Sequence, residues 1–372
     1  MIKVLHYGID SKLGGIETYL YKLYNNIDSD EFHFDFLYAG SGEPYYYKEF
    51  SERGSEFYRI TPRSKNPVKN RRELMQLFKE KKFDVIHCHM NTLSYVTPIF
   101  CAVKNNIPVV VHSRNAGASK SKITNMLHKI NSLFLPSNKI RMISVSGLAG
   151  NWLFGKNSDF TVINNGLDID KYMYNEHSRL NIRQEFHLYN EELIIHLGAM
   201  REQKNHLFLL DIFSEYLKLE PTSKLLLVGD GELKREILEK INYLNIEKNV
   251  IVAGLRRDVS NMLSAADLFL FPSFFEGFPN AVLEAQTSGL PCLISNEITN
   301  EVIITEDCYS MSLSADSKAW ANKLYTMKKN SDFDRKRNAK VIIDHGFSVQ
   351  EEMKKISDLY RDIVRNKVSS LL

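Results

Sequence analysis

Short apolar runs alternate along the chain with segments whose apolar residues recur every three or four positions. The runs are rich in Val, Ile, Leu and Phe, which is typical of strands buried on both faces of a parallel sheet. The segments between them have the spacing of amphipathic helices. Strands are therefore predicted over 2–8, 33–39, 83–89, 108–113, 139–146 and 160–165, and again over 193–199, 224–230, 249–254, 267–273 and 291–295.

The predicted strands form two series, separated by the polar, non-periodic stretch NGLDIDKYMYNEHSRLN over 165–181. Two series of alternating strands and helices predict two doubly wound α/β domains with parallel sheets. A nucleotide-type ligand is expected at the carboxyl ends of the strands, in the cleft between the two sheets. The last helical stretch, 348–367, has apolar residues at helical spacing and therefore needs a surface to cover.

Length and composition agree with a two-domain protein. A chain of 372 residues with 44% hydrophobic content exceeds the size of about 250–300 residues beyond which single cores seldom grow. No apolar run reaches the roughly 18–20 residues of a membrane helix, and MIKVLHYGID has no signal-peptide pattern, so we expect a cytoplasmic location. The four cysteines form no CxxC pair and are expected to be buried thiols, namely Cys88, Cys101, Cys292 and Cys308.

Glycines follow the first predicted strand, at Gly14 and Gly15. Glycine lets a backbone approach a ligand closely, and the N-terminus of the following helix favours anions. The pattern is not GxGxxG, and no ribose-binding acid follows at the right distance, which disfavours an NAD-dependent enzyme. A loop without a ligand remains the alternative.

Two cations, Arg201 and Lys204, lie in the stretch LGAMREQKN between a strand and a predicted helix over 205–213. An arginine and a lysine in such a connection suit a pyrophosphate, which the arginine binds through two hydrogen bonds and the lysine as a point charge. The alternative is a pair of solvated loop cations.

Two carboxylates, Glu276 and Glu284, are eight positions apart in FPSFFEGFPNAVLEAQTSGLPCLIS. Pro279 suits a first helical turn and Gly289 suits a helix end, so the first glutamate is predicted in a loop and the second inside a helix. Carboxylates at these places suit the hydroxyl groups of a sugar and a ribose, with phosphate at the helix N-terminus. The alternative, a solvated Glu284, fits poorly with the apolar flanks.

The order of motifs is specific. The glycine pair, VVVHSRNA, SVSG, VINNGLDIDKY, LGAMREQKN, LLLVGDGELK and the E-x7-E of EGFPNAVLEAQTSGLPCLIS resemble the family 4 retaining glycosyltransferases. Within that family the chain is most similar to bacterial exopolysaccharide and capsule enzymes. The resemblance covers nearly the whole chain and implies the GT-B fold, in which two Rossmann-like domains face a cleft. It implies an acceptor-binding domain of 1–172 with a helix of 350–372 crossing back to it, and a donor-binding domain of 173–349.

The resemblance also implies the reaction. A sugar is expected to move, with retention and without a protein nucleophile, from a nucleotide-diphosphate sugar (a UDP-sugar) to a glycan or lipid-linked acceptor. Neither a metal nor a cofactor is expected, and neither is a nucleic-acid partner. Two alternatives stay open: a non-hydrolysing nucleotide-sugar 2-epimerase on the same fold, and a non-catalytic nucleotide-sugar-binding protein.

Roles for single residues follow from the resemblance. It implies that Glu276 holds donor-sugar hydroxyls, that Glu284 holds the ribose, and that Lys204 neutralises the departing diphosphate. His112 matches the histidine near the reaction centre, although a lone histidine is more often structural. Ala199 stands where many members carry arginine, so Arg201 is a candidate in its place. Further donor contacts are implied for Gly15, Gly254, Arg256, Gly277, Phe278 and Asn280.

The N-terminal part is basic. Residues 1–172 carry a net charge of +7, against +3 for the whole chain, and 63–82 contains eight Lys or Arg and two Glu. The stretch 119–139 has an apolar stripe with lysines beside it, which suits an anionic membrane surface and so peripheral binding at the inner face of the membrane. A helix packed on its own sheet is the alternative. The stripe comprises Ile123, Met126, Leu127, Ile130, Leu133 and Phe134, and the lysines are Lys120, Lys122 and Lys129.

Overall fold

The strands of the chain lie parallel to one another in two separate sheets. The computed structural model describes residues 1–40, 42–117, 121–329 and 335–369. The chain divides into two compact units, the first of Met1–Asn165 with Gln350–Leu372 and the second of Gly166–Val349. Two parallel-sheet α/β domains were predicted from the alternating pattern, and this prediction is confirmed.

The first unit contains a seven-stranded sheet in the order β3-β2-β1-β4-β5-β6-β7 within the described residues. Its strands are β1 (Ile2–Tyr7), β2 (Phe32–Tyr38), β3 (Phe57–Arg59), β4 (Val85–Met90), β5 (Val109–Ser113), β6 (Ile140–Ser144) and β7 (Thr161–Val162). Its helices, up to residue 165, are α1 (Gly15–Asn26), α2 (Tyr47–Glu52), α3 (Pro67–Glu80), α4 (Thr97–Lys104), α5 (Lys122–Leu133) and α6 (Gly147–Phe154). The strand order reverses between β1 and β4, and open α/β sheets generally bind ligands beyond the carboxyl ends of the strands at such a point.

The second unit contains a six-stranded sheet in the order β10-β9-β8-β11-β12-β13 within the described residues. Its strands are β8 (Leu193–Leu197), β9 (Lys224–Val228), β10 (Val250–Gly254), β11 (Leu268–Phe271), β12 (Cys292–Ser295) and β13 (Cys308–Met311). Its helices are α7 (Ile169–Tyr172), α8 (Glu176–Glu185), α9 (His206–Tyr216), α10 (Lys234–Tyr243), α11 (Val259–Ala265), α12 (Asn280–Thr287), α13 (Ser317–Lys329) and α14 (Arg337–Asp344). The switch point of this sheet lies between β8 and β11.

The last helix, α15 (Val349–Ser369), belongs to the first unit from residue 350 onward. Its apolar side is buried, with Ile356 and Tyr360 fully covered, as the helical spacing predicted. Two ion pairs connect it to other helices and loops of the first unit. Lys22 Nζ lies 2.5 Å from Glu352, and Arg361 lies 2.5 Å from Glu31.

The division between the units lies between 165 and 166, where the sequence suggested 172 and 173. The reason is local packing within the second unit. Leu167 donates its amide to the carbonyl of Phe347, and α7 packs against α11 and α12. The short helix that was assigned to the end of the first domain therefore lies in the second unit.

The apolar side of α5 is exposed, which makes the alternative of a helix packed through this side wrong. Ile123 is 67% exposed, Leu133 81% and Phe134 68%. The helix is attached by its polar side instead. The His128 ring is stacked on Trp152 at 4.8 Å, and Asn131 donates to the carbonyl of Leu93 at 2.6 Å. Lys120, which was placed beside the stripe, lies outside the described residues.

The prediction for the cysteines is confirmed. Cys88, Cys101, Cys292 and Cys308 are all buried and free. Burial raises the pKa of the Cys88 thiol to about 12, because a thiolate is poorly solvated there.

Candidate functional site

Two loops meet at the switch point of the second unit, one after β8 and one after β11. The first loop reaches Lys204 and the second reaches Glu276. A Cβ added to Gly198 would lie 3.1 Å from the Lys204 side chain. The glycine therefore leaves the space that the lysine crosses to reach the second loop.

Lys204 and Glu276 form an ion pair, with Nζ 2.7 Å from Oε1. Their side chains are only 18% and 11% exposed, and Nζ also lies 4.6 Å from the centre of the Phe271 ring. An ion pair in this setting is screened weakly by solvent and is a strong local electrostatic feature. The sequence predicted both residues at the site, and the structure brings them into contact.

The two loops are joined by further hydrogen bonds. Phe274 donates its amide to the carbonyl of Gln203 at 2.9 Å, and Gln203 Nε2 donates to the carbonyl of Phe275 at 2.8 Å. Asn205, in the left-handed conformation at φ 55°, donates to the carbonyl of Pro272 at 3.1 Å. These contacts fix the spacing of the lysine and the glutamate before any ligand binds.

The α12 helix begins directly beyond this pair. Gly277 and Phe278 are buried, and Asn280 is the first helical residue after Pro279. The Phe278 ring is stacked on Phe347 at 5.5 Å, which anchors the loop. Helix N-termini carry partial positive charge, so an anion is favoured beside Lys204.

Glu284 is half-buried on α12 and is held by a residue that the sequence did not assign to the site, Tyr172 at the end of α7. The negative charge of Glu284, burial and a side-chain hydrogen bond to Glu284 raise the pKa of the Tyr172 hydroxyl. The hydroxyl therefore stays protonated and donates to the carboxylate. The motif VINNGLDIDKY contains this tyrosine, but spacing alone could not pair it with a residue more than 100 positions later.

Arg201 and Arg256 have different surroundings from Lys204. Arg201 is exposed. Arg256 donates to Glu185 at 2.7 Å and to Asp258 at 2.8 Å, and these hydrogen bonds, first that to Asp258, raise the pKa of Arg256. Gly254, with φ +67°, ends β10 at a register shift and has no heavy atom within 4 Å of an added Cβ.

In the first unit, Gly15 is the first residue of α1, and an added Cβ there would meet no heavy atom within 4 Å. The open space leaves this helix start accessible from the Cβ side. The carboxylate of Glu17 accepts a hydrogen bond from the amide of Asp10 at 2.9 Å and shapes the loop. Burial raises the pKa of Glu17.

His112 is the next-to-last residue of β5 and is fully buried, in a row of histidines. Its Nδ1 lies 3.0 Å from His87 Nε2, and its Nε2 lies 3.2 Å from a guanidinium nitrogen of Arg114. His87 Nδ1 lies 2.6 Å from the hydroxyl of Tyr360 on α15. Burial holds the pKa of His112 well below its usual value, so the ring is neutral at neutral pH.

Within the described part of the chain, one group has the spacing of a metal site: His6, His87 and His89, with ligand atoms within 4.8 Å of one another. Both nitrogens of His87 are used by Tyr360 and His112, and His6 Nδ1 contacts His89 Nε2 at 3.0 Å. The trio contains no carboxylate to offset a buried dication. Its chemistry fits a hydrogen-bonded row better than a metal centre.

Comparison with known families covers most of the chain. Residues 13–171 match the family described as Glycosyltransferase Family 4, and residues 191–330 match the family described as Glycosyl transferases group 1. The chain is 27% identical to the Escherichia coli UDP-Gal:alpha-D-GlcNAc-diphosphoundecaprenol alpha-1,3-galactosyltransferase, over 98% of each chain. It is also 27% identical to the putative glycosyltransferase EpsF of Bacillus subtilis strain 168, over 96% of each chain.

Solved structures agree with the fold. The Anabaena protein Alr3699/HepE, solved in complex with UDP and glucose, superposes with a TM-score of 0.80 over 97% of this chain and 100% of that chain. The two sequences are 18% identical, so this similarity concerns the fold. It confirms the prediction of two Rossmann-like parallel-sheet domains of the GT-B type.

Proposed function

Because the chain belongs to the group 1 and family 4 glycosyltransferases, we propose that it transfers a sugar, with retention, from a UDP-sugar to a glycan or lipid-linked acceptor in capsule or exopolysaccharide biosynthesis. The observation that carries the proposal is the Lys204–Glu276 pair at the switch point, 2.7 Å apart and beside the N-terminus of α12. UDP is proposed because the Escherichia coli relative is named for UDP-Gal and the Anabaena protein binds UDP.

Each residue of this site has a proposed task. Lys204 and the N-terminus of α12 bind the diphosphate, and Lys204 offsets the charge that develops on it as the leaving group departs. Glu276 accepts hydrogen bonds from donor-sugar hydroxyls. Glu284, oriented by Tyr172, accepts from the ribose hydroxyls. For the first unit, His112 is proposed separately as a catalytic residue, and no metal or cofactor is proposed to take part.

A panel of UDP-sugars tests this proposal, scored for UDP release with and without a lipid extract or a polyprenyl-diphosphate-linked sugar. Release that depends on the acceptor supports transfer. Turnover of donor without acceptor would indicate a 2-epimerase, and binding without turnover would indicate a non-catalytic protein. Glu276→Ala should abolish transfer while the fold persists, whereas the matched control Glu297→Ala, an exposed glutamate in the same unit, should behave as the wild type.

We also propose that α5 binds an anionic membrane surface. The support is the exposed apolar side of Ile123, Met126, Ile130, Leu133 and Phe134, with Lys122 and Lys129 exposed beside it. Among the described residues no helix combines the length and apolar character needed to cross a bilayer, so binding through α5 would be interfacial.

Flotation with vesicles containing phosphatidylglycerol at low salt tests the surface. Replacing Ile123, Leu133 and Phe134 together by serine should release the protein from the vesicles. Serine at Tyr243 and Leu255, equally exposed apolar residues of the second unit, should leave binding unchanged. A wild-type protein that ignores these vesicles would refute membrane binding through α5.

A further inference from the structure

Arg114, which no sequence argument selected, has an unusual setting in the first unit. It directly follows β5 and is largely covered, with its guanidinium carbon 3.7 Å from the centre of the Tyr19 ring. Burial lowers the pKa of Arg114, because a charged guanidinium is less well solvated there than in water. A partly buried charge of this kind normally has a compensating partner.

The partners of Arg114 within the described residues leave most of its donors unused. A guanidinium has five N–H groups, and one hydrogen bond is found, to His112 Nε2 at 3.2 Å. Two other covered arginines differ. Arg183 pairs with Asp267 and backbone carbonyls, and Arg335 donates to backbone carbonyls at 2.9–3.2 Å.

Nearby charges do not supply the missing anion. The charge of Glu352 acts favourably on Arg114, but this buried carboxylate accepts from Lys22 at 2.5 Å. Lys22 in turn adds positive charge near His112. The net positive charge around Arg114 therefore favours the binding of an anionic ligand.

The hydrogen bonds that hold Arg114 have a fixed direction. A guanidinium can only donate, so His112 Nε2 must accept, and the neutral ring then carries its proton on Nδ1. That proton is donated to His87 Nε2 at 3.0 Å, which leaves His87 Nδ1–H to donate to Tyr360 at 2.6 Å. The buried row of Tyr360, His87 and His112 thus fixes the position of the Arg114 guanidinium, and His112 is the member of the row that contacts it.

Arg114 also lies against the first turns of α1. Tyr19 follows Gly15 by one helical turn, and its buried hydroxyl has no hydrogen-bond partner among the described residues. Tyr19 lies one turn from the N-terminus of this twelve-residue helix, and helix N-termini carry partial positive charge. Two independent features therefore favour an anion at this place.

We propose that Arg114 binds a phosphate group of a substrate, held in place by His112, His87 and Tyr360. The proposal rests on the proposed glycosyl transfer for the identity of that substrate. The phosphate can come from the nucleotide diphosphate of the donor or from the diphosphate of a lipid-linked acceptor. Both present the same oxygen atoms to a guanidinium, which binds them by charge-assisted hydrogen bonds.

Calorimetric titration with inorganic pyrophosphate, UDP and farnesyl diphosphate tests the site. Arg114→Gln keeps a donor for His112 and removes the charge, so we expect pyrophosphate binding to weaken about tenfold or more, the loss of a charge-assisted hydrogen bond. Arg114→Lys keeps the charge and should bind pyrophosphate better than the glutamine variant. The exposed Arg141→Gln of the same unit is the control and should match the wild type.

The three ligands separate the two sources. A loss that extends to UDP assigns Arg114 to the donor, and a loss that extends to farnesyl diphosphate assigns it to a lipid-linked acceptor. If Arg114→Gln binds all three as the wild type does, the proposal is wrong. Because binding is measured without turnover, this result is independent of whether sugar transfer is observed. Histidine-selective nitrogen NMR should show His112 and His87 protonated on Nδ1. A proton on His112 Nε2 would show that this ring does not accept a hydrogen bond from Arg114 and does not hold it in place.

Discussion

One part of the stability that the second unit should lose in mild acid comes from His206, at the start of α9. His206 is 1% exposed, and neither ring nitrogen has a hydrogen-bond partner among the described residues. Burial, with a smaller effect from the charge of Lys204, lowers the pKa of His206 from 6.5 to about 4. The unfolded chain therefore binds more protons than the folded chain between these pH values, and stability falls as the pH falls through this window.

The magnitude follows from the two pKa values. The contribution of a neutral His206 to the free energy of unfolding is fully present above pH 6.5 and falls as the pH falls. Between pH 7 and pH 5, protonation of this residue in the unfolded chain alone should cost about 2 kcal/mol of the free energy of unfolding. His206→Leu removes the titrating group and two buried unsatisfied nitrogens. The variant should be at least as stable as the wild type at pH 7 and should lack this part of the loss at pH 5.

Urea unfolding at the two pH values provides the assay. Trp320 is fully buried in the second unit, and the chain has two tryptophans, so a Trp152→Phe background makes the fluorescence report that unit. The control is His177→Gln, an exposed histidine near the start of α8 in the same unit, which should keep the wild-type loss. If His206→Leu and the wild type lose equal stability between pH 7 and pH 5, the reasoning is refuted.

Three further predictions concern packing, charge and the ribose contact. Gly229→Ala should destabilise the second unit by about 3 kcal/mol or more in the same urea assay. The reason is that φ of Gly229 is +144° and an added Cβ would lie 2.1 Å from the carbonyl oxygen of Gly198. As a control, Gly15→Ala adds a Cβ in open space and should have little effect on the unfolding of the first unit. Lys22→Met removes the cation beside the buried Glu352 and should cost about 3 kcal/mol of the free energy of unfolding. Arg361→Met breaks a half-exposed pair and should cost much less. Equal losses would show that burial does not set the strength of these ion pairs. Tyr172→Phe removes the hydroxyl that holds Glu284, so steady-state kinetics should show KM for the donor raised roughly threefold to tenfold with little change in kcat. An unchanged KM would show that Tyr172 does not belong to the donor site.

Most of the strands that the sequence predicted are buried on both faces, whereas the predicted edge strands β7 and β10 are exposed and half-buried. All eleven predicted runs overlap a strand of the structure, because continuous Val, Ile, Leu and Phe character is typical of central parallel strands. The strands β3 and β13 were missed. Both lie at sheet edges and carry mixed residues, FYR and CYSM, so they have neither the apolar run nor the alternation that pattern reading needs.

The candidate site residues differ in how far the sequence could predict them. Lys204 and Glu276 each follow a strand, and the topology of a parallel sheet brings such positions together, so their contact could be expected from order alone. Tyr172, Arg114 and the histidine row depend on which side chains face each other across helices and strands. Neither periodicity nor spacing contains that information. The α5 stripe shows the same limit, since its periodicity could not reveal that the polar side attaches the helix.

The Lys204–Glu276 contact leads to a prediction that separates the tasks of the two residues. With no ligand, the lysine neutralises the glutamate at 2.7 Å, so a diphosphate must compete with Glu276 for the ammonium group. Removing the glutamate leaves the lysine fully available to phosphate, and Glu276→Ala should therefore bind UDP at least as tightly as the wild type although sugar transfer is lost. Lys204→Ala should instead lose UDP affinity by about tenfold or more. Calorimetry with UDP, which has no sugar for Glu276 to hold, measures both, and weaker binding of UDP by Glu276→Ala would show that this carboxylate supports the nucleotide rather than the sugar.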